Sequence, residues 1–281
     1  MTWEMLASGF GLVEGPTIDT DGSLVFSDVL DGGVHCLAAD GSISLVVPKR
    51  RGIGGIKRHA SGGFVIGGRD LQHARDGETA TVFALVDAMG FNDFGTDSAG
   101  RIYVGSVRWD SLNPAAEHQP GELWRVDLDG SGTMLYDSVN QCNGVGLSPD
   151  DRTIYHSDTR SKCLIAHDLT DNGTAINRRH IELGVRAHPD GLAVDVTGAV
   201  WVIDFGASRV IRITPEGTID SVLETPIRRV TSVCFDGTSL IVVSAADPRS
   251  PELRGSIWRT DVGVAGAAVY PARVATSLAQ R

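Results

Sequence analysis

The chain has 281 residues, 42% of them hydrophobic and 21% charged, with a formal net charge of -10. Such a composition builds an ordinary globular core, and the acidity argues against nucleic acid or an anionic membrane as partner. No stretch approaches the ~18 consecutive apolar residues of a membrane span, and residues 1–11 lack the basic start and apolar run of a signal peptide.

Residues 1–11 come first and are predicted to form an outer strand that completes the last unit of a ring, because a closed ring leaves fewer bare edges. Six stretches that start alike follow: Glu14-Gly15-Pro16, Gly54-Gly55-Ile56, Asn92-Asp93-Phe94, Asn143-Gly144-Val145, Asp190-Gly191-Leu192 and Thr231-Ser232-Val233. Five positions after each start stand Asp19, His59, Asp97, Ser148, Asp195 and Asp236, then a turn and a short apolar run. In the first unit, Thr17-Ile18-Asp19 leads through Asp21-Gly22 to Leu24-Val25-Phe26-Ser27-Asp28. The fifth copies it, with Leu192-Ala193-Val194-Asp195, Thr197-Gly198 and Val200-Trp201-Val202-Ile203-Asp204. Such runs bounded by Asp-Gly turns read as strands joined by hairpins, and no window keeps helical apolar spacing. A period of roughly 40 residues built from four short strands predicts an all-β, six-bladed β-propeller with four-stranded antiparallel blades around a central channel, filling residues 1–281 as one domain. The second repeat is the least regular. Gly68 to Thr81 and Arg108 to Gly121 read as loop insertions.

A propeller brings equivalent positions together around its axis, so Glu14, Asn92, Asn143 and Asp190 are predicted to face one another. Carboxylate and amide oxygens without Cys or His suit a hard divalent ion. Glu14, Asn143 and Asp190 are therefore the expected metal ligands, and Asn92 reaches the metal through water or holds a substrate oxygen. Asp28, Asp70, Asp158, Asp204 and Asp247 at second-strand ends form a collar at the same mouth, read as turn caps rather than ligands. Open coordination positions point to hydrolysis of an activated carbonyl or phosphoryl compound. Cys142 beside Asn143 is expected to turn away from the channel. His188 is either at the mouth or in a turn. Trp109-Asp110 is too isolated for a WD40 signature, and Gly52-Ile53-Gly54-Gly55 lacks a P-loop lysine and reads as close backbone packing. Cys36, Cys142, Cys163 and Cys234 have no CxxC or metal-type spacing and read as buried thiols of a reducing compartment, so a cytoplasmic location is expected.

Together, Glu14-Gly15-Pro16, the run from Asn92-Asp93-Phe94 to Gly100-Arg101, Asn143-Gly144-Val145, His188-Pro189-Asp190-Gly191-Leu192 and Arg209-Val210-Ile211-Arg212-Ile213 resemble the senescence marker protein/gluconolactonase (regucalcin-like) family of six-bladed propellers. The resemblance spans essentially the whole chain. It implies that Glu14, Asn143 and Asp190 hold one divalent metal ion, Ca²⁺ first, with Mg²⁺, Mn²⁺, Zn²⁺ or Fe²⁺ as alternatives. It implies that Asn92 contacts substrate and that Asp190 serves as general base. The expected reaction is opening of a lactone ring, with a small-molecule lactone as the expected substrate. Other Lewis-acid chemistry (phosphotriesterase, isomerase or lyase) and a non-enzymatic calcium-binding propeller stay open at this point. One departure stands out. Sugar-lactonase members often carry an arginine two residues before the Asn92 position, and here that residue is Gly90. Substrate contacts are then expected from Arg108 and Trp109, and the lactone is expected to be poorer in hydroxyl groups unless Arg69 or Arg108 reaches in.

Overall fold

The computed structural model describes residues 2–110, 113 and 115–279. After β1 (Glu4–Phe10), strands follow in groups of four. The first blade is β2 (Val13–Ile18), β3 (Leu24–Asp28), β4 (Val34–Leu37) and β5 (Ile43–Val47). The second is β6 (Ile56–Arg58), β7 (Phe64–Ile66), β8 (Leu71–Arg75) and β9 (Glu78–Phe83). The third is β10 (Gly90–Thr96), β11 (Ile102–Val107), β12 (Gly121–Val126) and β13 (Gly132–Val139). The fourth is β14 (Cys142–Leu147), β15 (Thr153–Asp158), β16 (Cys163–Leu169) and β17 (Ala175–Glu182). The fifth is β18 (Pro189–Val194), β19 (Val200–Asp204), β20 (Arg209–Ile213) and β21 (Ile219–Glu224). In the sixth, β22 (Val230–Asp236), β23 (Ser239–Ser244) and β24 (Gly255–Asp261) are completed by β1 from the other end of the chain. The protein is a six-bladed β-propeller, with six four-stranded antiparallel sheets and no helix among the described residues.

The expected closure by the first residues is present, with β1 and β24 pairing antiparallel from Glu4↔Arg259 to Phe10↔Gly255. One expectation is corrected. Gly68 to Thr81 is not an insertion, because it contains β8 and most of β9, paired through an Asp76-Gly77 turn. Its polar run Gln72-His73-Ala74-Arg75 hid a strand whose His73 is fully buried and stacked on His59 at 4.0 Å. Arg108 to Gly121 does join β11 to β12 as a loop, although its residues 111, 112 and 114 lie outside the described residues.

The inner strands β2, β6, β10, β14, β18 and β22 pack side by side around the axis, and β22 returns to β2. The core is layered between blades rather than central. Val25, Val34 and Ile56 join blades one and two, for instance, and Leu164, Leu192 and Val202 join blades four and five. Side-chain hydroxyls tie the same seams, with Ser27 donating to the Ile53 carbonyl at 2.6 Å and Thr231 to the Val13 carbonyl at 2.6 Å.

Five of the six inner strands break register with their neighbour where the shared motif begins. The breaks fall between Glu14 and Thr17, Phe91 and Phe94, Cys142 and Val145, Pro189 and Leu192, and Val230 and Ser232. A β-bulge re-aims side chains that strict alternation would turn into the sheet faces. At the other end of the channel the C-terminal stretch crosses the ring. Gly266 bonds Gly237, Ala267 bonds Val194, Ala272 bonds Arg58, and Arg273 bonds Gly100.

Candidate active site

The glycine after each ligand position has a packing reason. A Cβ on Gly144 would sit 2.7 Å from the Asp190 carbonyl, and one on Gly191 would sit 2.3 Å from Ser232 Oγ. Small residues here let neighbouring inner strands approach and crowd their polar side chains into one mouth. Asn143 and Asp190 are each only 8% exposed, and Glu14 is half-buried at the rim. The Asn143 side chain donates to Thr159 Oγ1 at 3.3 Å and lies near enough to the Asp190 carboxylate to favour its charged form. Burial, then the Asp190 charge, holds the Glu14 carboxyl well above the usual carboxylate range. Burial, then Asp93, does the same to Asp190. Glu14, Asn143 and Asp190 therefore converge.

Asn92 joins them from the third blade. Its Nδ2 donates to the Cys142 carbonyl at 3.0 Å, while its Oδ1 occupies space left by Gly54, where a Cβ would stand 2.1 Å away. Gly54 and Gly55 thus serve close packing, as expected, whereas Gly52 has open space around it and a positive φ of 72°. Arg108 and Trp109 line a notch of about 30 Å³ together with Asn92 and Gln141. Arg108 Nε donates to both oxygens of Glu122 at 3.1 and 3.0 Å. The Trp109 ring meets His118 edge-on at 5.2 Å and lies 5.6 Å from the Arg160 guanidinium.

The collar carboxylates are structural. Asp28 accepts from the Gly11 and Leu12 amides, Asp158 from Asn140 and Gln141, and Asp204 from His188. Each pins the chain just before Glu14, Asn143 or Asp190. Asp70 is paired with Arg50 at 2.7 Å, and Asp247 caps the Arg249 amide. His188 is exposed, and its backbone amide, two residues before Asp190, donates to Asp204. Burial pushes the Cys142 thiol well up, and its Sγ faces the Glu122 carbonyl at 3.7 Å, away from a nucleophile's role. All four cysteines are unpaired, but Cys36 and Cys234 are half-buried rather than buried as expected.

Two residues escaped the sequence reading. Asp93, 6% exposed, lies beneath the carboxylates, and Lys57 Nζ approaches it to 3.7 Å. Strict alternation would have turned Asp93 away from Asn92's side, and only the bulge brings both inward. Elsewhere, Cys163, His180 and Glu182 come close together on the outer strands of blade four. There the thiol is pushed up to about 12 by burial, and Arg178 Nε donates to His180 Nε2 at 3.1 Å, which disfavours a cation.

Residues 12–246 match the SMP-30/gluconolactonase/LRE-like region. The chain belongs to this family. It is similar to a 6-deoxy-6-sulfogluconolactonase of Pseudomonas putida, at 31% identity over 87% of this chain and 89% of the relative. It is also similar to regucalcin of Gallus gallus, at 30% identity over 87% of this chain and 85% of that protein. In fold, it matches the crystal structure of a calcium-binding regucalcin from Agrobacterium tumefaciens with a TM-score of 0.83, at 21% identity and 98% coverage of both chains. The half-buried Glu14 and the buried Asp190 carboxylates beside the Asn143 amide fit a hard divalent cation, since a cation offsets the cost of ionising both.

Proposed function

We propose that the protein is a lactonase that opens a lactone ring by metal-dependent hydrolysis at the Glu14–Asn143–Asp190 mouth. The carrying observation is the convergence of a half-buried and a buried carboxylate, Glu14 and Asp190, in a chain whose relatives include a lactone hydrolase. Glu14, Asn143 and Asp190 would hold the ion, with Ca²⁺ the first choice among divalent metals on an all-oxygen donor set. Bound there, it supplies Lewis-acid polarisation of the lactone carbonyl.

The chain's own residues supply the rest. An Asp190 carboxylate oxygen accepts the proton of the attacking water as its oxygen bonds to the carbonyl carbon. The ring C–O bond then breaks, and the ring oxygen leaves as a hydroxyl after taking up a proton. Asn92 has its Nδ2 committed to Cys142, so Oδ1 remains to accept from a substrate hydroxyl. Arg108 and Trp109 bound the substrate on the third blade. The unpaired cysteines accord with a reducing, cytoplasmic setting.

The test is lactone hydrolysis before and after chelation, with back-titration by Ca²⁺, Mg²⁺, Mn²⁺ and Zn²⁺. Turnover lost to chelator and restored by one of these ions is expected. Chelator-insensitive hydrolysis would remove the metal from the mechanism. Failure on every lactone alongside turnover of an organophosphate would replace the reaction. Tight calcium binding with no turnover on any substrate would favour a binding protein.

A further inference from the structure

Three consecutive blades bring arginines to the rim beside Asn92. Arg69 follows β7 in blade two, Arg108 follows β11 in blade three, and Arg160 follows β15 in blade four. The stretch carrying Arg69 is fixed against the start of β10. The Phe91 amide donates to the Gly68 carbonyl at 2.7 Å, and a Cβ on Gly90 would stand 3.1 Å from Arg69 Cα. No side chain fits at position 90, and an arginine from the neighbouring blade stands against it. On the other side of Asn92, Arg160 lies over Trp109, which shares its notch with Arg108 and Asn92. Thr159, next to Arg160, bonds Asn143 Nδ2 at 3.3 Å, which ties this arc to the carboxylate site.

Two of these guanidinium groups have little structural work. Arg69 and Arg160 are exposed, and among the described residues neither makes a hydrogen bond or ion pair. Arg108 uses Nε on Glu122, one of the five N–H donors of its fork. By contrast, Arg50, Arg209 and Arg254 at this mouth are paired with Asp70, Asp204 and Asp31. Even with Glu122 and Asp110 set against them, three arginines leave this arc cationic in a chain of net charge -10. Glu14 and Asp190 stand on the two blades flanking blade six, across the ring from blade three. A lactone placed with its carbonyl at the carboxylates would extend its far end toward the arginines.

We propose that this arc is a subsite for an anionic substituent (carboxylate, sulfonate or phosphate) that the lactone carries away from its carbonyl. The proposal rests on the lactonase reading and narrows its substrate class. Guanidinium forks pair with such groups in directional, charge-assisted bonds.

The test compares kcat/KM for a gluconolactone series carrying at C6 a hydroxyl, carboxylate, sulfonate or phosphate, in calcium-containing buffer. At least one anionic member should exceed the hydroxyl by about tenfold or more, and whichever leads names the group. In the Arg69→Ala/Arg160→Ala double variant that preference should shrink about 10–100-fold, the loss expected for charge-assisted bonds. Arg69→Lys/Arg160→Lys should restore part of it, and added salt should erode it. Equal or better turnover of the neutral lactone, or a preference untouched by the double substitution, overturns the subsite and leaves the lactonase reading standing. If no member is hydrolysed, gluconolactones are not the substrate. Calorimetric binding of the matching open-chain acids then decides the subsite. A preference for the extra anion that vanishes in the double variant supports it, and equal binding of all four acids overturns it.

Discussion

The two mouths of the channel divide space and chemistry between them. At the far mouth, Lys57, Thr96, Leu192, Phe235, Ala268 and Tyr270 help line a cavity of about 320 Å³. At the near mouth the notch beside Asn92 is only about 30 Å³, yet Glu14, Asn143, Asp190 and Asn92 converge there. The same inner strands build both ends. The difference lies in the bulges, which exist where the strands begin and re-aim their polar groups inward, while the far ends keep regular pairing down to Thr96↔Ile102 and Val194↔Val200. Converging carboxylates that raise one another's pKa mark a reactive site better than empty volume does.

That contrast can be broken at several strengths. Asp190→Asn should lower turnover by more than ~10³-fold, because it removes a base and a charged ligand together. Calcium stoichiometry by calorimetry should fall with it, and near-normal turnover would empty the near mouth of its assigned role. Asn92→Ala should cost about 10–100-fold in kcat/KM through lost substrate hydrogen bonding while metal content stays near wild type. Metal lost from Asn92→Ala but retained in Asp190→Asn would exchange the two roles.

Between the mouths, burial presses His156 down to about 3 and His167 to about 4. Both lie below the usual ~6.5 of histidine, so on acidification the unfolded chain takes up protons that the folded one refuses. Their contribution is complete above pH ~6.5 and is lost as pH falls toward about 4 for His167 and about 3 for His156. Replacing His156 with Gln should flatten the fall of stability by about 1 kcal/mol per pH unit across that window. Parallel denaturation curves for the two proteins would refute it. The smallest effect belongs to the far mouth. Ala268→Trp, at an exposed cavity-lining position, should leave kcat/KM within about twofold. A drop beyond tenfold would make the large cavity part of the active site.

Much of this arrangement is legible in the residues themselves, because a propeller repeats its register and Glu14, Asn143 and Asp190 occupy equivalent positions in it. The blades, the outer strand from residues 1–11 and the turn-capping aspartates all follow from strand–turn spacing. Blade two's outer strands were hidden because His73 and Gln72 do not look like strand residues, although His73 is buried against His59. Asp93 was hidden by its bulge, since alternation is the only directional rule a single sequence offers. The C-terminal crossing was hidden because Gly266-Ala267-Ala268 has no apolar period, and its bonds run to backbone atoms of other blades. Arg160 gave no signal at all, since nothing in the chain ties it to Trp109 before the fold does.

The pairing of β1 with β24 has a kinetic side. Glu4 is synthesised first, and its partner Arg259 is 255 residues away, so the ring cannot shut until nearly the whole chain exists. Bringing such distant segments together carries a loop-closure entropy that local hairpins escape, and contacts of this span slow folding. Until closure, β24 presents a bare strand edge to any other strand nearby, including β1 of a second chain. Two chains that exchange β1 would each complete the other's sixth blade with the same hydrogen bonds. Refolding at high concentration should therefore favour strand-exchanged dimers, whereas dilution should return closed monomers.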